Sequence, residues 1–148
     1  MGGAMAATAA DQNTEVVITL GSLAFMDENR LAGLRTAKTT FANPQQFDRL
    51  ARYHGLKSEW LLKASTDTWM SAPFANWSLD TQLAALPCPI LVLHGDQDEY
   101  GSLAHPQRIR DRAGAGSEMF IISGGGHILH RDSQSEVIQR ISAFLKRL

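Results

Sequence analysis

The chain lacks several features, and each absence excludes a class of protein. Cys88 is the only cysteine, so no disulfide can form within the chain, and we expect a reducing, cytoplasmic location. The formal net charge is -1, which argues against a nucleic-acid partner, since such partners require a basic stripe. No apolar run approaches the ~20 residues of a membrane span, and no membrane partner is expected.

The composition that remains is that of a globular domain. Hydrophobic residues make up 44% of the 148 residues and charged residues 20%, which is too apolar for a disordered chain. A chain of this length can bury roughly 68–70% of its unfolded surface. The sequence therefore predicts one packed core.

The hydrophobic pattern predicts an α/β fold with about three parallel strands. Continuous β-branched runs, typical of buried parallel strands, are found at 15–20, 89–94 and 118–122. Helical spacing and capping residues predict helices near 2–11, 27–40, 44–54, 57–70, 80–86, 102–113 and 133–147. Sheets commonly have 4–6 strands, so three strands indicate only part of a sheet.

Titratable residues follow the ends of two of these strands. Asp98 lies three residues beyond Gly95, and His127 follows the glycines at 124–126. Each alone is also ordinary turn chemistry or an exposed loop histidine. Together they predict a carboxylate that accepts from one ring nitrogen of His127 and leaves the other nitrogen as a general base. The 29 residues between them leave room for one helix and one strand, as a right-handed crossover requires.

These two segments resemble the carboxyl-terminal part of an α/β-hydrolase. The matching residues are Pro89-Ile-Leu-Val-Leu-His-Gly-Asp-Gln-Asp98 and Gly126-His127 before an amphipathic terminal helix. The resemblance implies that Asp98 is the catalytic acid and His127 the catalytic base. It also implies an elbow helix and a sixth-strand equivalent at 1–22, a helical cap at 23–85 and the hydrolase core at 86–148.

The same resemblance implies that the nucleophile is missing from this sequence. The nucleophile of such enzymes lies in Gly-x-Ser-x-Gly, between a strand and a helix. The start Met1-Gly2-Gly3-Ala4 is similar to the residues that follow that serine. We therefore expect an amino-terminally truncated chain, with Met1 next to the absent serine, that is inactive alone.

Other candidate residues fit a simpler interpretation. Asp96 and Glu99 flank Asp98 and are alternative acids, whereas Asp27 and Glu28 are typical of charge at a helix start. His130 follows His127 at the spacing of a metal pair, but no third ligand has suitable spacing, so neither a metal nor a cofactor is expected. Four aromatic residues are candidates for a substrate-binding pocket under the cap or for plain packing: Trp60, Trp69, Phe74 and Trp77.

The sequence thus predicts a serine hydrolase of an ester, thioester or carbon–carbon bond in the intact relative, with a small-molecule substrate. Two alternatives remain for this chain. One is a non-catalytic interaction module, and the other is a complementing fragment that is active when another segment supplies the serine. Both use the edge of the strand at 15–20, through which we expect self-association.

Overall fold

A computed structural model describes residues 2–148 and contains a three-stranded parallel sheet flanked by helices. Met1, which the resemblance implies to be adjacent to the nucleophile, lies outside the described residues. The helices and strands are, in chain order, α1 (Gly2–Ala9), β1 (Val17–Leu20), α2 (Glu28–Phe41), α3 (Pro44–His54), α4 (Ser58–Trp69), α5 (Asp80–Ala84), β2 (Ile90–Gly95), α6 (Ala104–Arg112), β3 (Glu118–Ile122), α7 (Leu129–Asp132) and α8 (Gln134–Leu145). The predicted α/β class and the three parallel strands are confirmed.

The sheet has the order β1-β2-β3, so β2 is its centre. Ile18 lies beside Leu91 in the β1–β2 register, and Leu91 lies beside Glu118 in the β2–β3 register. Every residue of β2 is buried, as its continuous apolar run predicts. All three strands are parallel, so their carboxyl ends meet at one edge of the sheet.

One apolar cluster packs the sheet against the carboxyl-terminal helices. Its buried members come from β2, β3, α7 and α8: Leu91, Leu93, Ile122, Leu129, Val137 and Phe144. The apolar stripe of α8 is narrower than its sequence indicates, because Ile138 and Leu145 are exposed. Burial of Val137 and Phe144 at helical spacing holds α8 on the sheet.

The small residues of α1 allow a close approach to β1. A Cβ on Gly3 would lie 2.7 Å from the Cβ of Ser22 and 3.1 Å from Cγ2 of Thr19. Only glycine fits this position without a shift of the neighbouring chain. Glycine at position 3 therefore permits tight packing of α1 against the end of β1.

Residues Met26–Trp77 form a separate compact unit, which we call the helical unit. It contains α2, α3 and α4, with Asp27 and Asn43 as side-chain caps of the first two helices. Lys38 of α2 forms an ion pair with Asp67 of α4, with 2.9 Å between Nζ and Oδ1. This unit lies inside the predicted cap region, 23–85.

The remaining residues, up to Phe25 and Ser78–Leu148, form the second compact unit, which we call the sheet unit. Residues 23–25 and helix α5 group with the sheet rather than with the helical unit. In residues 2–148, no helix is both long enough and apolar enough to cross a membrane.

Candidate functional site

The loops after β2 and β3 meet backbone to backbone. Gln97 donates its N–H to the carbonyl oxygen of Gly125 at 2.9 Å. A Cβ on Gly95 would collide with the backbone of Gly125 and lie 2.7 Å from the oxygen of Gly126. Glycine at 95 therefore permits the two strand-end loops to lie in contact, which brings their side chains together.

The carboxylate of Asp98 is held in a buried position by its own loop. Its side chain is 0% exposed. Oδ1 accepts hydrogen bonds from the backbone N–H of Tyr100 at 2.8 Å and of Gly101 at 3.1 Å. This turn, in which an aspartate accepts from the backbone two and three residues on, fixes the orientation of the carboxylate.

The imidazole of His127 lies against that carboxylate. Nδ1 is 2.9 Å from Oδ2 and 3.1 Å from Oδ1 of Asp98. Because an ionised carboxylate only accepts, Nδ1 carries the hydrogen in this pair, and in a neutral ring Nε2 then has the lone pair. The side chain of His127 is 35% exposed, so the pair joins a buried acid to a partly accessible base. The ring of Tyr100 packs edge-on against His127, with 4.9 Å between centroids.

Gly21, at the end of β1, forms a third side of the site. Its φ is +59°, and a Cβ there would lie 3.1 Å from Nδ1 of His127 and 3.2 Å from Oδ2 of Asp98. A side chain would therefore be strained and would crowd the hydrogen-bonded pair. In the sequence Gly21 is recognisable only as the end of a strand, because its closeness to residues 98 and 127 is a tertiary contact.

The alternative acid Asp96 binds the backbone of the turn after β3. Its Oδ1 accepts from the backbone N–H of Gly124 at 2.7 Å, and its own N–H donates to Ile122. Asp96 thus ties the loop after β2 to the turn after β3. Oε2 of Glu99 accepts a long hydrogen bond, 3.4 Å, from the backbone N–H of His127.

The other candidates lie outside this pair. Asp27 accepts from the N–H of Arg30 as the cap of α2, and Glu28 forms an ion pair with Arg35. His130 is exposed in α7, and no group of three or more potential metal ligands occurs in the part of the chain that the structure describes. Asp27 and Glu28 therefore lie at the start of α2, in the helix-start roles that their sequence positions indicate.

Three of the four aromatic candidates form one cluster inside the helical unit. The ring of Trp69 is 5.2 Å from that of Phe74 and 4.9 Å from that of Trp77, and both contacts are edge-on. Trp69 is buried, whereas Trp60 is 67% exposed. The structure thus brings Trp69, Phe74 and Trp77 together as packing partners and leaves Trp60 at the surface.

Two potential nucleophiles of the sheet unit are buried. The hydroxyl of Ser22 donates a long hydrogen bond, 3.4 Å, to the carbonyl oxygen of Leu23. Cys88 is buried before β2, and this burial raises the pKa of its thiol. A raised pKa keeps the thiol protonated, which is the unreactive form.

Known structures resemble this chain along nearly its whole length. NosK from Streptomyces actuosus is 20% identical with a TM-score of 0.75, and the match covers 99% of this chain and 65% of NosK. The 2-hydroxy-6-oxo-6-phenylhexa-2,4-dienoate hydrolase of Rhodococcus sp. strain RHA1 is 16% identical, with a TM-score of 0.65 and coverages of 99% and 61%. An α/β fold family hydrolase from Bacillus anthracis str. Sterne is 13% identical, with a TM-score of 0.68 and coverages of 97% and 64%.

The resemblance is one of fold. No protein-family model and no curated protein sequence matches the chain. The chain spans less than two thirds of the length of each of the three structures above, with coverages between 61% and 65%. Residues 2–148 therefore adopt part of the α/β-hydrolase fold.

Proposed function

We propose that Asp98 and His127 are the acid and base of a serine-hydrolase triad whose nucleophile is not among these 148 residues. The observation that supports this most directly is the 2.9 Å contact between Nδ1 of His127 and Oδ2 of Asp98, whose side chain is fully buried. The fold supports it as well, because the solved structures that resemble the chain include hydrolases. The substrate is an ester, thioester or carbon–carbon bond of a small molecule.

The chemistry follows from the state of the imidazole ring. With hydrogen on Nδ1 and a lone pair on Nε2, His127 accepts the proton of a serine hydroxyl as the oxygen attacks the substrate carbonyl. Asp98 stabilises the imidazolium that forms. Nε2 then returns the proton to the leaving group, and water repeats the sequence to release the acyl group.

The test compares two lengths of chain. The 148-residue chain should hydrolyse p-nitrophenyl esters no faster than an exposed imidazole does, and a fluorophosphonate probe should leave it unlabelled. A longer product that carries Gly-x-Ser-x-Gly ahead of residue 2 should be labelled at that serine and should hydrolyse the ester. Stoichiometric labelling of the 148-residue chain, for example at Ser22, would contradict the proposal.

One observation favours a second candidate, an interaction module or complementing fragment. Val17 and Gly21 donate their N–H groups to Pro89 and Leu93, so their backbone groups face β2. The N–H and C=O groups of successive residues in a strand point to opposite sides, so those of Ile18 and Leu20 face the outer edge of the sheet. No strand pairs with that edge within residues 2–148. Such an edge can pair with another chain.

Proline variants test this second candidate. Ile18→Pro removes an outward N–H of β1 without touching the bonds to β2, and proline is tolerated in that position of an edge strand. Ile121→Pro makes a comparable change on β3, the opposite edge. If chains associate through the edge of β1, the wild-type chain self-associates in sedimentation velocity. Ile18→Pro then weakens this association, and Ile121→Pro leaves it unchanged. A monodisperse wild-type monomer would refute this candidate.

A further inference from the structure

His94 is a buried histidine beside the acid, and the triad chemistry above leaves it without a role. It is the next-to-last residue of β2, and its side chain is 0% exposed. Nε2 of His94 lies 2.9 Å from the carbonyl oxygen of Gly101 and 3.4 Å from Oδ2 of Asp98. The ring therefore contacts both the acid and the end of the loop that carries it.

The partner of Nε2 determines which nitrogen carries the hydrogen. A carbonyl oxygen only accepts, so Nε2 must be the donor to Gly101. Nδ1 has no hydrogen-bond partner within the described part of the chain. A second proton on Nδ1 would be buried without an acceptor, which is costly. The geometry thus places a hydrogen on Nε2 and gives Nδ1 no acceptor for one.

Gly101 connects this ring to the acid. Its carbonyl accepts from His94, and its N–H donates to Oδ1 of Asp98 at 3.1 Å. A Cβ on Gly101 would lie 2.8 Å from Cδ2 of Leu23 and 3.1 Å from Cδ2 of His105, so the residue is closely enclosed. A shift of Gly101 away from His94 would move its N–H relative to the carboxylate.

We propose that His94 is a positioning residue that holds Asp98 in hydrogen-bonding register with His127. His94 acts through the hydrogen bond that its Nε2–H donates to the carbonyl oxygen of Gly101. The same nitrogen lies 3.4 Å from Oδ2 of Asp98, the oxygen that is 2.9 Å from Nδ1 of His127. This inference rests on the proposed function of the Asp98–His127 pair. It assigns to His94 no contact with substrate.

Nitrogen-15 NMR of the wild-type chain provides the first test. Two-bond proton–nitrogen correlations distinguish the protonated from the unprotonated ring nitrogen of each histidine. We expect hydrogen on Nε2 of His94 and on Nδ1 of His127. Hydrogen on Nδ1 alone of His94 would overturn the inference, because Nε2 could not then donate to Gly101. This measurement needs no variant.

A matched pair of variants provides the second test. The amide nitrogen of His94→Gln can occupy the place of Nε2 and donate to Gly101, whereas that of His94→Asn is one carbon too short. Folding of both variants is verified by circular dichroism. The proton NMR spectrum of His94→Gln should keep the downfield resonance of the Nδ1 hydrogen that His127 donates to Asp98. The spectrum of His94→Asn should lose this resonance, because the hydrogen exchanges with water. Retention in both variants, or loss in both while folded, would overturn the role of the Nε2 donor.

Asp98→Asn separates this inference from the proposed function. It should abolish the Nδ1–H resonance of His127, because the asparagine amide can present an N–H donor to Nδ1 and so favours the other tautomer. If the resonance survives in Asp98→Asn, the Asp98–His127 pair itself is wrong. If Asp98→Asn abolishes it and His94→Asn retains it, the pair stands and only the role of His94 fails.

Discussion

The sheet unit and the helical unit use their apolar residues in different ways. In the sheet unit, the residues Ile90–Leu93 of β2 are completely buried. In the helical unit, α3 has no buried residue, and Tyr53, Leu56 and Trp60 are exposed. A close-packed strand leaves its end few alternative positions, whereas a sparsely packed helix can shift at little cost. The Asp98–His127 pair lies just beyond the ends of these close-packed strands.

A similar contrast separates Gly95 and Gly101, near the candidate site, from the two glycines of the helical unit. Gly95 and Gly101 of the sheet unit are enclosed by neighbouring atoms, and Gly21 has a positive φ beside the candidate site. Gly33 in α2 and Gly55 after α3 have no atom within 4 Å of an added Cβ. Backbone contacts therefore shape the sheet unit near the site, and changes there should have larger effects than changes in the helical unit.

The largest expected effect is a loss of activity that distinguishes Asp98 from Asp96, two carboxylates that follow β2. In a longer product that supplies the serine, Asp98→Asn should lower kcat by ~10⁴, because the asparagine favours the wrong tautomer of His127. His127→Ala should have a comparable effect. Asp96→Asn and His130→Ala should retain most activity, since neither side chain contacts the His127 ring. Steady-state kinetics on a p-nitrophenyl ester measures all four, and a larger loss in Asp96→Asn than in Asp98→Asn would mean that the acid is misassigned.

A pair of tryptophans tests whether the helical unit has a core of its own. Trp69→Ala should lower the free energy of unfolding by about 3–5 kcal/mol, because it removes a buried ring packed on Phe74 and Trp77. Trp60→Ala should change it by no more than about 0.5 kcal/mol, since that ring is exposed. Urea denaturation measures both values. Equal losses would mean that the two rings are buried alike.

Two glycine-to-alanine changes compare the units directly. Gly95→Ala should destabilise the chain by about 3 kcal/mol, because the new methyl group collides with the backbone of Gly125. Gly33→Ala should stabilise it by about 0.4–1 kcal/mol, since the position is open and helical and alanine restricts the unfolded chain. Thermal unfolding by circular dichroism gives the sign of each effect, and a tolerated Gly95→Ala would refute the close approach of the two loops.

The smallest effect is a pH dependence at the surface of the sheet unit. Arg108 donates two hydrogen bonds to Asp80, at 2.8 and 2.7 Å, and this pairing lowers the pKa of the Asp80 carboxyl. A lowered pKa in the folded chain means that the stabilisation is present above the unfolded value, about 3.9, and is lost as the pH falls through the folded value. The Tm difference between the wild-type chain and Asp80→Asn should therefore narrow between pH 6 and pH 3.

The Asp80–Arg108 ion pair of the sheet unit can be compared with an ion pair of the helical unit. Arg35 and Glu28 form a more exposed ion pair in the helical unit. Glu28→Gln is the matched control, and it should show a smaller Tm difference at pH 6, because exposed pairs are largely screened by solvent. An effect at Glu28 as large as that at Asp80 would mean that the two units do not differ in this respect.

The sequence predicts the elements well where the signal is local. The β-branched runs placed the strands within two residues of their observed starts, and the helix predicted over 44–54 coincides with α3. The short helix α7 was not predicted, because four residues are too few to show a period. The boundary of the helical unit at Trp77 was also not predictable, since it depends on which helices pack together.

The candidate site divides in the same way. Spacing after two strands predicted the pairing of Asp98 with His127, because parallel strands bring their carboxyl ends to one edge of the sheet. The contacts of His94, Gly21 and Gly101 with that pair were not predicted. Each depends on a loop conformation and on segments distant in sequence.

The sequence by itself determined the α/β class, the strand order along the chain and the two strand ends that carry an acid and a histidine. These follow from period, β-branching and glycine placement, which act over a few neighbouring residues. Only the tertiary structure decided that Asp96 binds the backbone of Gly124, that Gly101 links His94 to the acid, and that Trp60 is exposed while Trp69 is buried. Those outcomes depend on how packed backbone segments exclude or admit one another at distances of a few ångströms, which no local pattern of residues contains.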